Sequence, residues 1–396
     1  MSNNLQPQPL SGVKVVELGL WIAGPAAAAV MADWGADVIK VEPKSGDPAR
    51  NALASILGIE NLRSPAFEAD NRGKRSVVLD LAEQEGLTAL NSLLSDADVF
   101  ITNMRPNALT RLGLSPEVLR DKFPQLVIAQ VTGYGSSGPE IDRPGYDSGA
   151  FWAYSGLASQ FSGETGYPPI LPAAFGDHIT AISLVSGITS ALFDRTRTGQ
   201  GTIVETSLLK LGIYAATSDY SLQMTFNRHR PPQRRVDSES PLVNSYKTSD
   251  NKYIWLLCVE ASRHWPQLAA AIGHPDLCND ERFNGTRKRH KNRAELIATL
   301  DGIFATKTRD EWAEILDSND IWWSPVNSLE EVLASEQAEI INAFVDIPDA
   351  GNEDKPRKTV ASPIDFNRVP TQPKSACPEL GADTIEILKE LQQKSK

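Results

Sequence analysis

Short apolar runs alternate with helix-length stretches through the first two hundred residues. Val13–Leu18 (VKVVEL), Val38–Val41, Ser76–Leu79, Val99–Thr102 and Leu126–Thr132 (LVIAQVT) predict five buried strands. Between them, Pro25–Trp34 (PAAAAVMADW) predicts a helix with Pro25 in its first turn and Gly35 at its C-terminal cap. The Leu/Ala periodicity of Glu83–Ser95 predicts a second. Asp177–Asp194 predicts a long helix of small residues, followed by a turn at Arg197–Gly201 and a sixth strand, Thr202–Ser207. Strand, helix and strand at this spacing imply βαβ units, hence an α/β fold with a mostly parallel sheet.

The pattern then changes. Asn227–Pro241 (NRHRPPQRRVDSESP) has four arginines, three prolines and almost no apolar residues, so residues 227–241 predict an exposed connector. Residues 242–346 hold five of the eight tryptophans. There a strand at Tyr253–Val259, helices at Arg263–Ile272 and Arg309–Ser318, and closing segments at Val326–Leu333 and Val345–Ile347 suggest a separate, smaller α+β domain. The remaining stretch, 347–396, is rich in proline and ends in an amphipathic helix, Thr384–Gln393.

Composition narrows the function. A chain of 396 residues exceeds one small core, and 41% apolar with 22% charged residues is ordinary globular composition. The net charge of −11 argues against a general nucleic-acid binder, while leaving room for a locally basic pocket. Cys258, Cys278 and Cys377 are scattered, and none of the five histidines forms an HExxH pair, so no disulfide framework or metal motif is expected. Met1–Leu10 lacks the basic and apolar regions of a signal peptide, and Leu18–Trp34 is interrupted by Gly24, Pro25 and Asp33. The expectation is a cytoplasmic protein without a membrane span.

Gly133-Tyr-Gly135-Ser-Ser-Gly138 is a literal GxGxxG after a strand, but Pro139 and Pro144 follow where a dinucleotide site needs a helix. It predicts a ligand-contacting loop, whose amides are candidates for holding an oxyanion. No GxSxG elbow occurs. Among carboxylates, Asp177 stands at the start of its helix after the apolar Ile170–Gly176. A plain N-cap is one account of it. A nucleophile kept anionic by the helix dipole is the other. His178 follows it and is expected to be structural. Basic residues cluster at Arg72, Lys74 and Arg75, at Arg105 and Arg111, and at Arg282–Arg293. The first two clusters adjoin strands, where an anionic ligand would dock.

Seven pieces in order resemble the class III coenzyme A transferases, which share their fold with the α-methylacyl-CoA racemases. They are Leu10–Arg50, Asn71–Leu81 (NRGKRSVVLDL), Ala97–Leu114, Thr132–Pro139 (TGYGSSGP), Gly145–Asp147 (GYD), Gly176–Leu192 and Arg197–Leu209. The resemblance implies a large Rossmann-like domain assembled from both ends of the chain (1–226 and 347–396), a smaller middle domain, and an interlocked homodimer. It implies transfer of CoA from an acyl-CoA to a carboxylic acid through an aspartyl-CoA thioester on Asp177, with CoA as substrate and no tightly bound cofactor. By the same resemblance Ile22 and Ala23 approach the thioester. Leu79 contacts the adenine side, Asn103, Met104, Arg105 and Arg111 line the nucleotide and its phosphates, and Tyr134 flanks the pantetheine channel.

Two departures bear on substrate. Formyl-CoA transferase-like members carry glutamine where this chain has Ile22, and glycines where Arg234–Tyr246 has none. Trp21, Ile22, Phe151, Trp152 and Tyr154 suggest a bulkier or more hydrophobic acyl group, or simply core packing. In the racemases a histidine stands between the glycine and aspartate of Gly145-Tyr146-Asp147, so Tyr146 replaces one of two expected bases. A 2-methylacyl-CoA racemase and a non-catalytic CoA-binding protein are the alternatives.

Overall fold

The computed structural model describes residues 8–59, 62, 64–163, 165–228, 234–348, 357–369 and 371–394. The chain divides into two compact units. One is built from the described parts of Met1–Ala158, Ile170–Arg228 and Glu339–Lys396, the other from those of Ser159–Pro169 and His229–Ala338. Part of the expected connector, 229–233, lies outside the described residues.

The first unit is a three-layer α/β/α sandwich. Its sheet contains β1 (Lys14–Leu18), β2 (Asp37–Glu42), β3 (Arg75–Val78), β4 (Val99–Thr102), β5 (Val127–Thr132) and β6 (Ile203–Ser207) in the order β3-β2-β1-β4-β5-β6. Every neighbouring pair is parallel. That is the doubly wound order whose direction reverses between β1 and β4, where ligands meet the carboxyl ends of the strands. All six predicted strands are present, displaced by at most one residue at either end. The side chains of β1, β2, β4 and β5 are almost all buried on both faces, which is why they read as near-continuous apolar runs, whereas β6 at the edge is mostly half-exposed.

One face packs under the helices Ala23–Asp33 and Phe175–Thr198. The small residues of Ala23–Asp33 let the two helices approach closely. The other face is covered by Gln84–Ser95, by the helices after β4, and by the C-terminal helix Thr384–Lys394. That last helix also closes the sheet edge. Asp383 and Thr384 accept the Ser76 and Val78 amides (2.7 and 3.0 Å), groups an edge strand would otherwise leave open.

The basic cluster at Arg72–Arg75 serves this architecture and not an anionic ligand. Arg72 pairs with Asp33, Lys74 with Glu17, and Arg75 with Asp37 and Glu390.

In the second unit β7 (Ser245–Lys247), β8 (Tyr253–Leu256) and β9 (Trp323–Val326) form an antiparallel sheet over a core containing Tyr246, Phe304 and Trp312. The strand expected to reach Val259 stops at Leu256, and the Leu257 and Cys258 amides instead reach Trp322 and Leu242. Arg289 of the basic run is buried and donates to the Phe283 and Ala261 carbonyls, while Arg282 pairs with Asp280 and Glu295. That run is structural.

Candidate active site

Asp177 is the third residue of the helix Phe175–Thr198, not its cap. The cap position falls to Ala174, in left-handed backbone (φ 62°), which has no side chain able to accept a hydrogen bond. Asp147 supplies the acceptor from another segment. Its Oδ2 takes the Gly176 amide (3.3 Å), while its Oδ1 takes the Ser148 amide (2.6 Å). Gly176 is required by packing. A Cβ there would lie 2.6 Å from the Phe151 ring, which is itself buried.

Sequence reasoning expected the helix dipole to keep Asp177 firmly anionic. The structure corrects this. Burial raises its pKa to about 7, the Asp147 carboxylate adds to the rise, His178 opposes it, and Asp70 adds a little more. Desolvation and like charge outweigh the dipole. His178 is half-exposed and its Nε2 lies 3.1 Å from the buried Asp70 Oδ1, a contact that raises the imidazole pKa. It therefore shapes the electrostatics beside Asp177 as well as the local structure.

Three cavities of the first unit lie along the carboxyl edge of the sheet, the first two by β1, β4 and the segments after β5, the third by β1, β2 and β3. The first, of about 200 Å³, contains Asp177 together with Trp21, Ile22, Ala23, Asn103, Arg105, Gly133, Tyr146 and Leu208. The second, about 520 Å³, shares Trp21, Asn103 and Arg105 with it and adds Met104 and Arg111. The third, about 460 Å³ and largely apolar, shares Leu20 and Met104 with the second and contains Leu79. A linked series of this kind suits a long ligand with a reactive end, a charged middle and a flat apolar end. Neither the Arg105 nor the Arg111 guanidinium has a hydrogen bond or ion pair among the described residues. Both side chains are exposed, and so are open to an anion.

Of the residues that the resemblance assigned to CoA, Tyr134 alone lies apart from these linings. Its ring meets Tyr154 edge-on (5.2 Å) and stacks beneath the Arg143 guanidinium (5.5 Å). The Gly133–Gly138 segment is a loop, but the Gly135 amide already donates to Thr132 Oγ1 (2.8 Å), which removes it as an oxyanion donor. Phe151 is core, whereas Tyr154 is half-exposed. Tyr146 does not pack beneath its loop. It is 59% exposed, stands in the Asp177 cavity, and meets Trp21 edge-on at 5.7 Å. Asp147 and Asp70 were missed by sequence reasoning, since nothing local marks an acid that acts on a helix thirty or a hundred residues away. Among the described residues no group of acids, histidines and cysteines could hold a metal, and no helix is long and apolar enough to cross a membrane.

The model of CoA-transferase family III matches residues 10–384. The chain is 32% identical to the (R)-2-hydroxy-4-methylpentanoate CoA-transferase of Clostridioides difficile, covering 96% of this chain and 95% of that protein. It is 33% identical to the cinnamoyl-CoA:phenyllactate CoA-transferase of Clostridium sporogenes, covering 99% and 95%. A mouse α-methylacyl-CoA racemase is 31% identical over 96% of the chain and 93% of its own length. The crystal structure of a CAIB/BAIF family protein from Brucella suis superposes with a TM-score of 0.85 at 29% identity, covering 98% of this chain and all of that one.

Proposed function

The chain belongs to CoA-transferase family III, and on that premise we propose that it moves CoA from an acyl-CoA to a hydrophobic carboxylic acid through a covalent intermediate on Asp177. The observation that carries this reading is the half-buried Asp177 carboxylate, with its raised pKa, lining the first of the linked cavities. A more basic carboxylate is a stronger nucleophile, and at about 7 a large fraction is still ionised at neutral pH.

An Asp177 oxygen attacks the thioester carbonyl, and the C–S bond breaks to leave a mixed anhydride and CoA thiolate. The thiolate attacks the aspartyl carbonyl of the anhydride, releasing the donor acid as its carboxylate and leaving an aspartyl-CoA thioester. The acceptor carboxylate attacks that thioester, giving a second anhydride and thiolate. Attack of the thiolate on the new acyl carbonyl forms the product acyl-CoA and restores Asp177. Each exchange joins groups of similar activation, so no nucleotide is consumed. Arg105 and Arg111 bind the CoA phosphates, Met104 and Leu79 its adenine end, and Ile22 and Ala23 the region next to the sulfur.

Trp21, Ile22, Ile141, Tyr146 and Leu208 give the Asp177 cavity an apolar, partly aromatic wall opposite its polar groups, which supports a branched or aryl acid. The 2-hydroxy-4-methylpentanoate and phenyllactate of the two transferase relatives agree with such a class. Tyr146 argues against the racemase alternative. A phenol with an ordinary pKa of about 10 is a poor base at neutral pH, and racemisation needs two.

A homodimer is part of the proposal. The helix Thr217–Phe226 buries none of its residues, and Leu222, Met224 and Phe226 are exposed beside Ile213 and Tyr214 of the preceding helix. A second copy would cover that face. A cytoplasmic setting is consistent with three free thiols.

The test is trapping. After incubation with a productive acyl-CoA, hydroxylamine should mark the peptide containing Asp177, and Asp177→Ala should lose transfer while still binding CoA. Near wild-type transfer by Asp177→Ala would refute the assignment. In deuterium oxide, rapid uptake at C2 of a 2-methylacyl-CoA without acyl exchange would establish the racemase instead. Binding without either reaction would establish a non-catalytic CoA-binding protein.

A further inference from the structure

Gly19 to Pro25 carries the backbone from β1 into the helix Ala23–Asp33, and its Trp21, Ile22 and Ala23 line the Asp177 cavity. Trp21 has φ 64°, a left-handed conformation that bulky side chains avoid and that surrounding structure must impose. Four side-chain groups impose it. Lys40 Nζ donates to the Gly19 carbonyl (3.0 Å). The Asn103 amide brackets Leu20, accepting from its N–H (2.9 Å) and donating to its carbonyl (2.6 Å). Asp47 Oδ1 accepts the Trp21 N–H (3.1 Å), and Lys74 Nζ donates to the Pro25 carbonyl (2.9 Å).

Three of these four belong to one buried ionic network. Lys40 Nζ is also 2.8 Å from Glu17 Oε1 and 3.0 Å from Asp47 Oδ2, and Glu17 Oε2 is 2.6 Å from Lys74 Nζ. Glu17, Lys40, Asp47 and Lys74 are all at most 3% exposed, and none lines any of the three linked cavities. Burying four charges is a weak route to stability, because apolar residues of similar volume serve as well or better. What apolar residues cannot do is grip successive backbone groups of one segment.

We propose that Glu17, Lys40, Asp47 and Lys74 are positioning residues for acyl transfer, holding the Gly19–Pro25 backbone in its strained course so that Ile22 and Ala23 meet the thioester at Asp177. The network lines none of the linked cavities and reaches the site through that backbone, while Asp47 also accepts the Ala49 N–H and Lys74 also donates to the Asp70 carbonyl. The inference rests on the proposed role of Asp177.

The experiment uses the full-length double variant Lys40→Met/Asp47→Leu, which removes the ion pair as a unit and leaves Glu17 paired with Lys74. Its melting temperature should fall, because the Gly19, Trp21 and Ala49 backbone groups lose their partners, but circular dichroism should show it folded at the assay temperature. Its kcat should fall by at least about tenfold while CoA affinity, measured by calorimetry, changes by less than about threefold, as expected for misplacement rather than lost binding. A kcat within about twofold of wild type would show that the network serves the fold alone. Parallel loss of kcat and CoA affinity would overturn the inference in favour of a binding role. Should the double variant not fold, Asp47→Ala decides, because it removes the acceptor of the Trp21 N–H and leaves Lys40 paired with Glu17, and an unchanged kcat there would overturn the inference. The functional reading is judged separately by wild type and Asp177→Ala. If wild type transfers nothing, that reading falls and takes this inference with it. If wild type transfers, Asp177→Ala does not, and the double variant matches wild type, only this inference falls.

Discussion

Asp147 caps the helix that carries Asp177 by accepting the Gly176 amide at 3.3 Å, and in doing so brings a second negative charge beside the Asp177 carboxylate. One carboxylate thus orders the helix start and makes the other harder to ionise. The kcat/KM of acyl transfer should therefore rise with pH along an acid limb centred near about 7, as Asp177 loses its proton. Asp147→Asn should move that limb down by roughly one pH unit, and His178→Gln should move it up. Profiles measured from pH 5 to about 9 on the three proteins check both directions. A limb that ignores both substitutions would mean that another group controls the rate.

The same shift carries a stability cost of definite sign. Below the ordinary aspartate pKa of 3.8, Asp177 is protonated whether the chain is folded or unfolded, and no cost arises. Between 3.8 and about 7 the unfolded chain releases the proton while the folded chain retains it, so the cost grows with pH and levels off above about 7. Asp177→Asn should consequently stabilise the protein at pH 8 by on the order of 2 kcal/mol, with the gain fading by about pH 4. Chemical denaturation at both pH values measures it.

Among the described residues Arg105 and Arg111 have no hydrogen-bond or ion-pair partner to lose, so their replacement should fall on ligand binding alone. Arg111→Gln should raise KM for acyl-CoA by about tenfold with kcat little changed, the loss expected for one charge-assisted phosphate contact. KM for the acceptor acid should not move. Steady-state kinetics with each substrate varied in turn separate the two.

Gly176→Ala tests the close approach of Phe151. The new methyl would meet the ring at 2.6 Å, so either the ring or the helix start must move. Overpacking of this kind should lower stability by about 1–3 kcal/mol. Because the Asp147–Gly176 hydrogen bond lies at the same point, transfer activity should fall further than stability alone explains. Phe151→Leu in the Gly176→Ala background should recover part of both.

Much of the first unit was legible because its signals are local. The β-branched runs of β1 to β6 and the periodicity of Gln84–Ser95 depend on neighbours within a few residues, and a mostly parallel sheet follows once βαβ units are recognised, while the strand order came from the fold. The helix holding Asp177 was found but begun two residues late, since Ala174 carries no cap signal and its partner Asp147 is distant in sequence. Lys74 misled for a related reason. A sequence displays the charge of a lysine, but only the fold displays the Glu17 that neutralises it.

By itself, then, the sequence determined the alternation of strand and helix, and with it the parallel sheet and the position of its carboxyl-end crevice. It also placed Ile22, Ala23, Asn103, Arg105 and Asp177 in segments able to reach that crevice, because loop positions are inherited from the strands they follow. Tertiary structure alone decided the chemical state of those residues. The protonation of Asp177 depends on burial and on Asp147 and Asp70. The conformation of Trp21 depends on Asp47 and on Asn103 beside it. Both are interactions across space, whose strength falls with distance and rises with exclusion of water. Neither quantity exists until the chain has folded.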